Sequence, residues 1–200
     1  MAKKMDIEKK KCLTPEFRVS YPAVFKAKSF DEQEAKFGLT MLFSKKTDLT
    51  ALKKAAFSAK VEKWGADKTK WPKKLRSPFR DGAEREGTDG YGENVIFVAA
   101  TSKTKPGLID GKKNRLSTDE EFYAGCYARA ELLAYAYDTK GNKGVAFGLK
   151  NIQKLRDGDP FSGARPAEEV FDEVEDESED EDNYDDSGED DEDGDSEEGF

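Results

Sequence analysis

Aromatic rings set among lysines and arginines are the main chemical resource of this chain. They recur in three stretches. The first holds Arg18, Tyr21, Phe25, Lys26 and Lys28, and the second Trp64, Lys68, Lys70, Trp71, Lys73, Lys74, Arg76, Phe79 and Arg80. The third holds Tyr123, Tyr127, Arg129 and Tyr135. A ring face stacks on a nucleobase for about 1 to 3 kcal/mol, and a cation beside it follows the phosphates, so this mixture suits a single nucleic-acid strand. Trp71 precedes Pro72 in a lysine-rich loop where a ring is hard to bury. With Tyr127 it heads the rings expected to stack, followed by Tyr21, Phe25, Phe79 and Tyr135. Phe37, Phe43, Phe97 and Phe147 alternate along apolar runs and are assigned to the core.

Catalysis has less to draw on. The chain has no histidine, which removes Ser/His/Asp and Cys/His arrangements and leaves acid–base work to carboxylates or lysine. Asp81, Glu84, Glu86, Asp89 and Glu93 cluster between glycines, but their spacing matches no calcium or magnesium motif, and Asp81-Gly82 reads as a turn in a solvated loop. The two cysteines, Cys12 and Cys126, form neither a disulfide framework nor a zinc set. No phosphate-cradling glycine motif occurs. The expectation is a binding protein, not an enzyme, with no metal and no cofactor.

Charge is divided along the chain. Of 34 bases and 43 acids, residues 167–200 hold 21 acids and no base, which leaves residues 1–166 with 34 bases against 22 acids, a net +12. A basic body invites a polyanion, and the acidic segment imitates one. Like charges in a block repel and stay solvated, so 167–200 is expected to be a disordered tail behind one domain of 166 residues. The tail ends Glu197, Glu198, Gly199, Phe200, an aromatic residue beside a free carboxylate, suited to a hydrophobic pocket with a basic rim on a partner. The lysine-rich start, residues 1–12, reads as a flexible basic arm. It lacks the apolar stretch of a signal peptide, and no run reaches the roughly 20 apolar residues of a membrane span. A soluble intracellular protein that touches no membrane is expected.

The elements that must carry these residues are mostly strands. Phe17, Val19 and Tyr21 alternate with Arg18 and Ser20 in a strand that Pro22 ends or bulges. Residues 35–43 alternate again, with Phe37, Leu39, Met41 and Phe43 pointing one way. Asp48 can cap a helix with Leu49, Leu52, Ala56, Ala59 and Lys60 at three- and four-residue spacings, stopped by Gly65. Residues 71–92, broken by proline and glycine, form a long loop. Val95 to Val98 suit a buried strand, and 105–111 a short turn-like passage. In 123–137 the odd positions carry tyrosines, Arg129 and Leu133 while the even ones are mostly alanine, which favours a strand over a helix. Residues 138–144 make a hairpin turn into Val145, Phe147 and Leu149. Closely spaced strands with one helix and no βαβ rhythm predict a mainly-β barrel or sandwich.

Short motifs then carry a likeness: Arg18, Ser20, Tyr21, Pro22, Val24, Phe25; Leu42, Phe43, Ser44, Lys45; Arg80, Asp81, Gly82; Tyr123 to Arg129; Gly144, Val145; and Arg156, Asp157, Gly158. On these the chain resembles phage single-stranded-DNA-binding proteins, and more narrowly a group from phages of Gram-positive hosts. The resemblance implies an OB-fold-like antiparallel barrel with one helix and long loops. It also implies sequence-independent binding of single strands, with duplex DNA a further candidate. A role in phage DNA replication and recombination follows from it, exercised in the cytoplasm of the infected host by a monomer or dimer. The common helix of that fold lies between its third and fourth strands; here a helix is predicted after an early one. The mechanism expected is a basic groove in which the tail competes with DNA until, displaced, it recruits replication proteins through Phe200. The rival from another class is an acidic-tailed chaperone or DNA mimic with a basic protein partner. A magnesium nuclease built on the Asp81 to Glu93 carboxylates is a third reading.

Overall fold

The computed structural model describes residues 8–29, 34–139 and 141–161. Of the basic arm expected over residues 1–12, residues 1–7 lie outside these, as does the acidic tail with its Phe200 terminus, whereas Lys11 and Cys12 belong to a strand paired in the sheet. Among the described residues there are eight strands: β1 (Lys11–Leu13), β2 (Phe17–Lys28), β3 (Lys36–Ser44), β4 (Arg80–Asp81), β5 (Val95–Ser102), β6 (Gly107–Ile109), β7 (Tyr127–Thr139) and β8 (Asn142–Arg156). Five of them, in the order β2-β3-β5-β8-β7, form a ring that closes because β7 pairs both β8 and β2. All contacts around this ring are antiparallel except β5 with β8, where Ala100 faces Phe147. The two weakest seams are that parallel one and β2–β7, each held by two residue pairs, so the ring is a partly open barrel of the OB kind. β1 extends β7, β6 runs along β8, and β4 pairs β5.

The helix α1 (Thr50–Trp64) falls between β3 and β5, the second and third strands of the ring, as its place in the sequence requires. Leu49 occupies the capping position, one residue later than expected. The Asp48 carboxylate still accepts the Thr50 N–H at 2.9 Å, satisfying one of the free donors of the first turn. Gly65, at φ +83°, ends the helix with its N–H on the Val61 carbonyl. Leu52, Ala55, Ala56 and Ala59 form its buried face and join the single core of the ring. Its principal neighbour is β7, whose inward residues Ala128, Ala130, Leu132 and Ala134 are buried. Alanine on both surfaces lets helix and strand approach closely, which explains the alanine-rich even positions of β7.

The tyrosines of β7 therefore face away from the core, and the strand begins at Tyr127, four residues later than the alternation suggests. β3 departs from simple alternation too. Leu39, Met41 and Phe43 point into the core and Leu42 is buried on the opposite face, while Phe37 is only half-buried. The stretch 71–92 is mostly irregular, as expected, but it contributes β4 and the 3₁₀ turn Gly82–Arg85, and a first 3₁₀ turn, Lys68–Lys70, leads into it. It folds over the outer face of β3 and β5 at one end, which is why Leu42 and Phe97 are buried there. The turn-like passage 105–111 contains β6.

Candidate nucleic-acid interface

Proline has no N–H to give a neighbouring strand, and at Pro22 the pairing of β2 with β3 shifts register between Ser20 and Ala23. β2 runs on to Lys28, so the proline bulges the strand without ending it. At the bulge Tyr21 takes φ +46°, a left-handed backbone that a tyrosine rarely adopts, and its ring stands 56% exposed. Such a conformation persists only when its surroundings impose it, and it is a recognised mark of functional positions.

Arg85, from the second 3₁₀ turn, faces that ring. Its guanidinium carbon lies 5.6 Å from the ring centres of Tyr21 and Tyr91 and 5.3 Å from that of Phe97. Tyr91 meets Phe97 edge-on at 5.3 Å, and the Tyr91 and Ser20 hydroxyls are 3.2 Å apart. Arg80 covers Phe97 from 4.7 Å and is held by Glu84. The loop can lie this close because Gly82 and Gly90 have no side chain: a Cβ on Gly82 would sit 2.5 Å from the Gly92 carbonyl oxygen, and one on Gly90 would strike the Phe161 ring.

Two grooves flank Tyr21. One, of about 400 Å³, is floored by the small residues Ala23, Gly38, Thr40, Ala99 and Thr101, with Tyr21, Phe37, Lys28, Lys36 and Arg85 as walls. Its single acid, Glu34, is paired with Lys103 at 2.7 Å, which holds the carboxyl below its usual range. The other, of about 540 Å³, runs past Pro22, Lys26 and Tyr123 to Phe161 and carries Asp89 and Asp119 as well. Tyr135 stands 42% exposed on β7 with its hydroxyl directed to Thr101, the residue that ends the floor of the first groove, and burial raises its phenol.

The other expected contact residues are placed elsewhere. Arg18 gives its guanidinium to the Gly125 and Asp159 carbonyls and lies 4.3 Å from the Phe161 ring centre. Tyr127 is covered by Arg156 at 3.4 Å. This pair clasps the short β2–β7 seam, so both rings and cations are engaged within the fold. Phe79 meets Phe147 edge-on at 6.1 Å and packs, half-buried, at the core margin. Phe25 packs on the core beneath Lys105. Arg129 is bonded to Gln153 over β8. Trp71 is docked on α1: its Nε1–H donates to the Gly65 carbonyl at 2.9 Å and its ring lies 5.7 Å from Phe57. Lys73, Lys74 and Arg76 are exposed in the same connection, with the Arg76 backbone paired to Gly144. Of the expected set, Tyr21, Lys26 and Lys28 line the grooves, and Tyr135 stands beside Thr101 on the first one's floor. Arg85 and Lys36 also line the first groove, where the sequence had not singled them out, although Arg85 is the single base between Arg80 and Lys103.

The loop carboxylates do not converge. Asp81 is held by Lys45 and the Ala83 N–H, Glu84 by Arg80, and no group of three acids, cysteines or histidines suited to a metal occurs among the described residues. Burial raises both thiols, that of Cys12 to about 11, leaving neither a nucleophile near neutral pH. No helix among the described residues is long and apolar enough to cross a membrane.

Residues 10–183 match the family model of the single-stranded-DNA-binding protein of Enterobacter phage Enc34. The chain belongs to this family. A relative within reach of sequence comparison is putative protein p50 of Acyrthosiphon pisum secondary endosymbiont phage 1, 35% identical over 78% of this chain and 89% of that protein. Among solved structures, the Enc34 single-stranded-DNA-binding protein in complex with single-stranded DNA superposes with a TM-score of 0.64 at 22% identity, over 76% of this chain and 89% of its own. The single-stranded-DNA-binding protein gp2.5 of bacteriophage T7 shares the fold at a TM-score of 0.51 and 13% identity, over 79% and 98%. The family model carries the expected likeness to phage single-stranded-DNA-binding proteins; the narrower tie to phages of Gram-positive hosts is not carried by any of these matches.

Proposed function

We propose that this protein binds single-stranded DNA without sequence preference, in the grooves on either side of Tyr21. Tyr21 stacks between bases, Tyr135 offers a second ring at Thr101, and Lys26, Lys28, Lys36 and Arg85 follow the phosphates. The observation that carries the reading is the exposed Tyr21 ring, raised on a left-handed bulge, backed by Arg85 and bordered by cations that no carboxylate of the described residues pairs. Family membership supports the same chemistry. The small-residue floor leaves room for a backbone or a flat base, and nothing in the site arranges an acid, base or nucleophile for catalysis.

The protein thus acts as a strand-covering component of phage DNA replication and recombination in the host cytoplasm. Its acidic segment 167–200 is a tethered polyanion at millimolar effective concentration, which competes for the grooves and, once displaced, offers Glu197, Glu198, Gly199 and Phe200 to replication proteins. Fluorescence anisotropy of a labelled oligo-dT, titrated across a salt series, tests the binding. Log affinity should fall linearly with log salt by about 0.7 for each phosphate neutralised, with mixed-sequence strands bound alike. Absence of binding at low salt, with or without the tail, would refute it and favour an acidic-tailed chaperone.

A further inference from the structure

A long lysine-rich segment of the chain lies away from the grooves. Between residues 50 and 76 nine bases face two acids. Both acids are occupied, Glu62 by Lys10 and Asp67 by Lys70. On α1, Lys53, Lys54 and Lys63 are exposed, and the connection after it adds exposed Lys68, Lys73 and Lys74. None of these six has a carboxylate of the described residues at ion-pair distance. At their centre is an aromatic pair with no core role. Phe57 is 44% exposed on the outer side of α1 and its ring meets Trp71 at 5.7 Å. The Lys68 ammonium lies 5.2 Å from the Phe57 ring centre and that of Lys60 lies 5.7 Å from Trp71. The Trp71 Nε1–H bond to Gly65 fixes this arrangement. α1 leans on β7, β1 and β8, whereas the grooves lie over β2, β3 and β5, so the two surfaces are distinct.

We infer that this lysine-rich face of α1 and the Lys68–Arg76 connection is a second contact surface for the phosphate backbone of the same single strand, engaged only by strands longer than the grooves hold. The inference rests on the groove reading above. Lysine is a mobile point charge that meets phosphates without demanding a fixed geometry, which suits a surface tracking a strand of any sequence. A protein partner held by apolar anchors would want an enclosed pocket for them. The depression beside Phe57 is shallow and bordered by Thr50, Lys53, Lys54 and Ser58, so it supplies charge and ring faces but little enclosure.

The test compares the full chain with a Lys53→Gln, Lys54→Gln, Lys73→Gln, Lys74→Gln variant on oligo-dT of about 6 and about 20 nucleotides, one near the low end of the roughly 4 to 16 that one OB fold covers and the other beyond its high end. The short strand should bind both proteins equally. On the long strand the variant's salt slope should be lower by nearly 3, so that from 50 to 200 mM salt it loses about 50-fold less affinity than the parent. Equal slopes on the long strand would overturn the inference, and a loss of poly-glutamate binding by the same variant would then assign the face to an acidic protein. Failure of both proteins to bind the short strand would instead count against the grooves. In a Trp64→Phe chain, which leaves Trp71 the sole tryptophan, the long strand should quench the fluorescence and the short strand should not. Quenching by neither would also overturn the inference.

Discussion

Replacing Tyr21 with glycine separates binding from folding. The left-handed backbone at Tyr21, φ +46°, costs a side-chain-bearing residue roughly 1 to 2 kcal/mol, which glycine does not pay. Against that relief stand glycine's greater loss of chain freedom, about 0.5 to 1 kcal/mol, and the exposed cation–π contact with Arg85, another 0.5 to 1 kcal/mol. Because the ring is 56% exposed, little buried apolar area is lost. The opposing contributions cancel to within about 1 kcal/mol, so denaturant unfolding of the variant should match the parent closely. Binding should not. One stacked base is worth about 1 to 3 kcal/mol, a loss of roughly 5- to 150-fold in affinity for oligo-dT at matched salt. Anisotropy titrations of parent and variant, each beside a urea melt, measure both quantities. An affinity within twofold of the parent would refute the role given to Tyr21, and a stability loss of several kcal/mol would show the bulge to be structural.

Truncation after Pro166 should tighten binding at low salt and abolish capture of replication proteins; equal affinity with and without the tail would remove the competition. Gly125→Ala should cost about 2 to 4 kcal/mol in chemical unfolding, because φ is +113° there and the added Cβ would lie 2.1 Å from the Asp159 carbonyl oxygen; a loss under about 0.5 kcal/mol would contradict that packing. Acid should weaken the fold through Glu121 and Asp110. Backbone donors at Ser117 and Thr118 hold the Glu121 carboxyl below its usual range, and Asn114 with Lys112 does so for Asp110. A carboxyl depressed in the folded state stabilises above the ordinary carboxylate range, near pH 4, and that contribution disappears as pH falls toward the lowered values. Stability followed from about pH 7 to about pH 3 should therefore fall less steeply in Glu121→Gln than in the parent, and parallel curves would contradict the assignment.

Much of the frame was legible in the sequence because it rests on local pattern. Alternation and one compact apolar run located the strands of the ring, the apolar spacing from Leu49 to Ala59 with Gly65 marked α1, and Gly141 fell in the β7–β8 turn. The face that a strand buries was harder to read. In β7 the alternation marked a strand without saying why its even positions are alanine: the nearness of α1 demands small residues inward, and helix–strand spacing is not written in either segment alone. The site was less legible for the same reason. Which outer-face rings remain free depends on how the 80–92 loop and the 156–161 stretch fold back, and these contacts join residues far apart in sequence. Arg18 and Tyr127 looked like binding groups and are consumed at the β2–β7 seam, while Arg85 sat unnoticed among acids in a loop. Trp71 was chosen as a ring too awkward to bury, yet the Gly65 carbonyl and Phe57 give it a berth on α1. Pro22 carried a usable signal: a proline within an alternating strand marks a bulge, and the residue before it is the one displaced.

Photo-crosslinking of an iodouracil-substituted strand of about 6 nucleotides, a length near the low end of what one OB fold covers, followed by tryptic mapping, addresses the central claim most directly. Cleavage after Arg18 and Lys26 isolates Tyr21 in the peptide of residues 19–26. The account predicts the principal adduct on that peptide, at Tyr21, and its disappearance in Tyr21→Gly. Adducts confined to peptides that do not border the grooves, with none on residues 19–26, would contradict it.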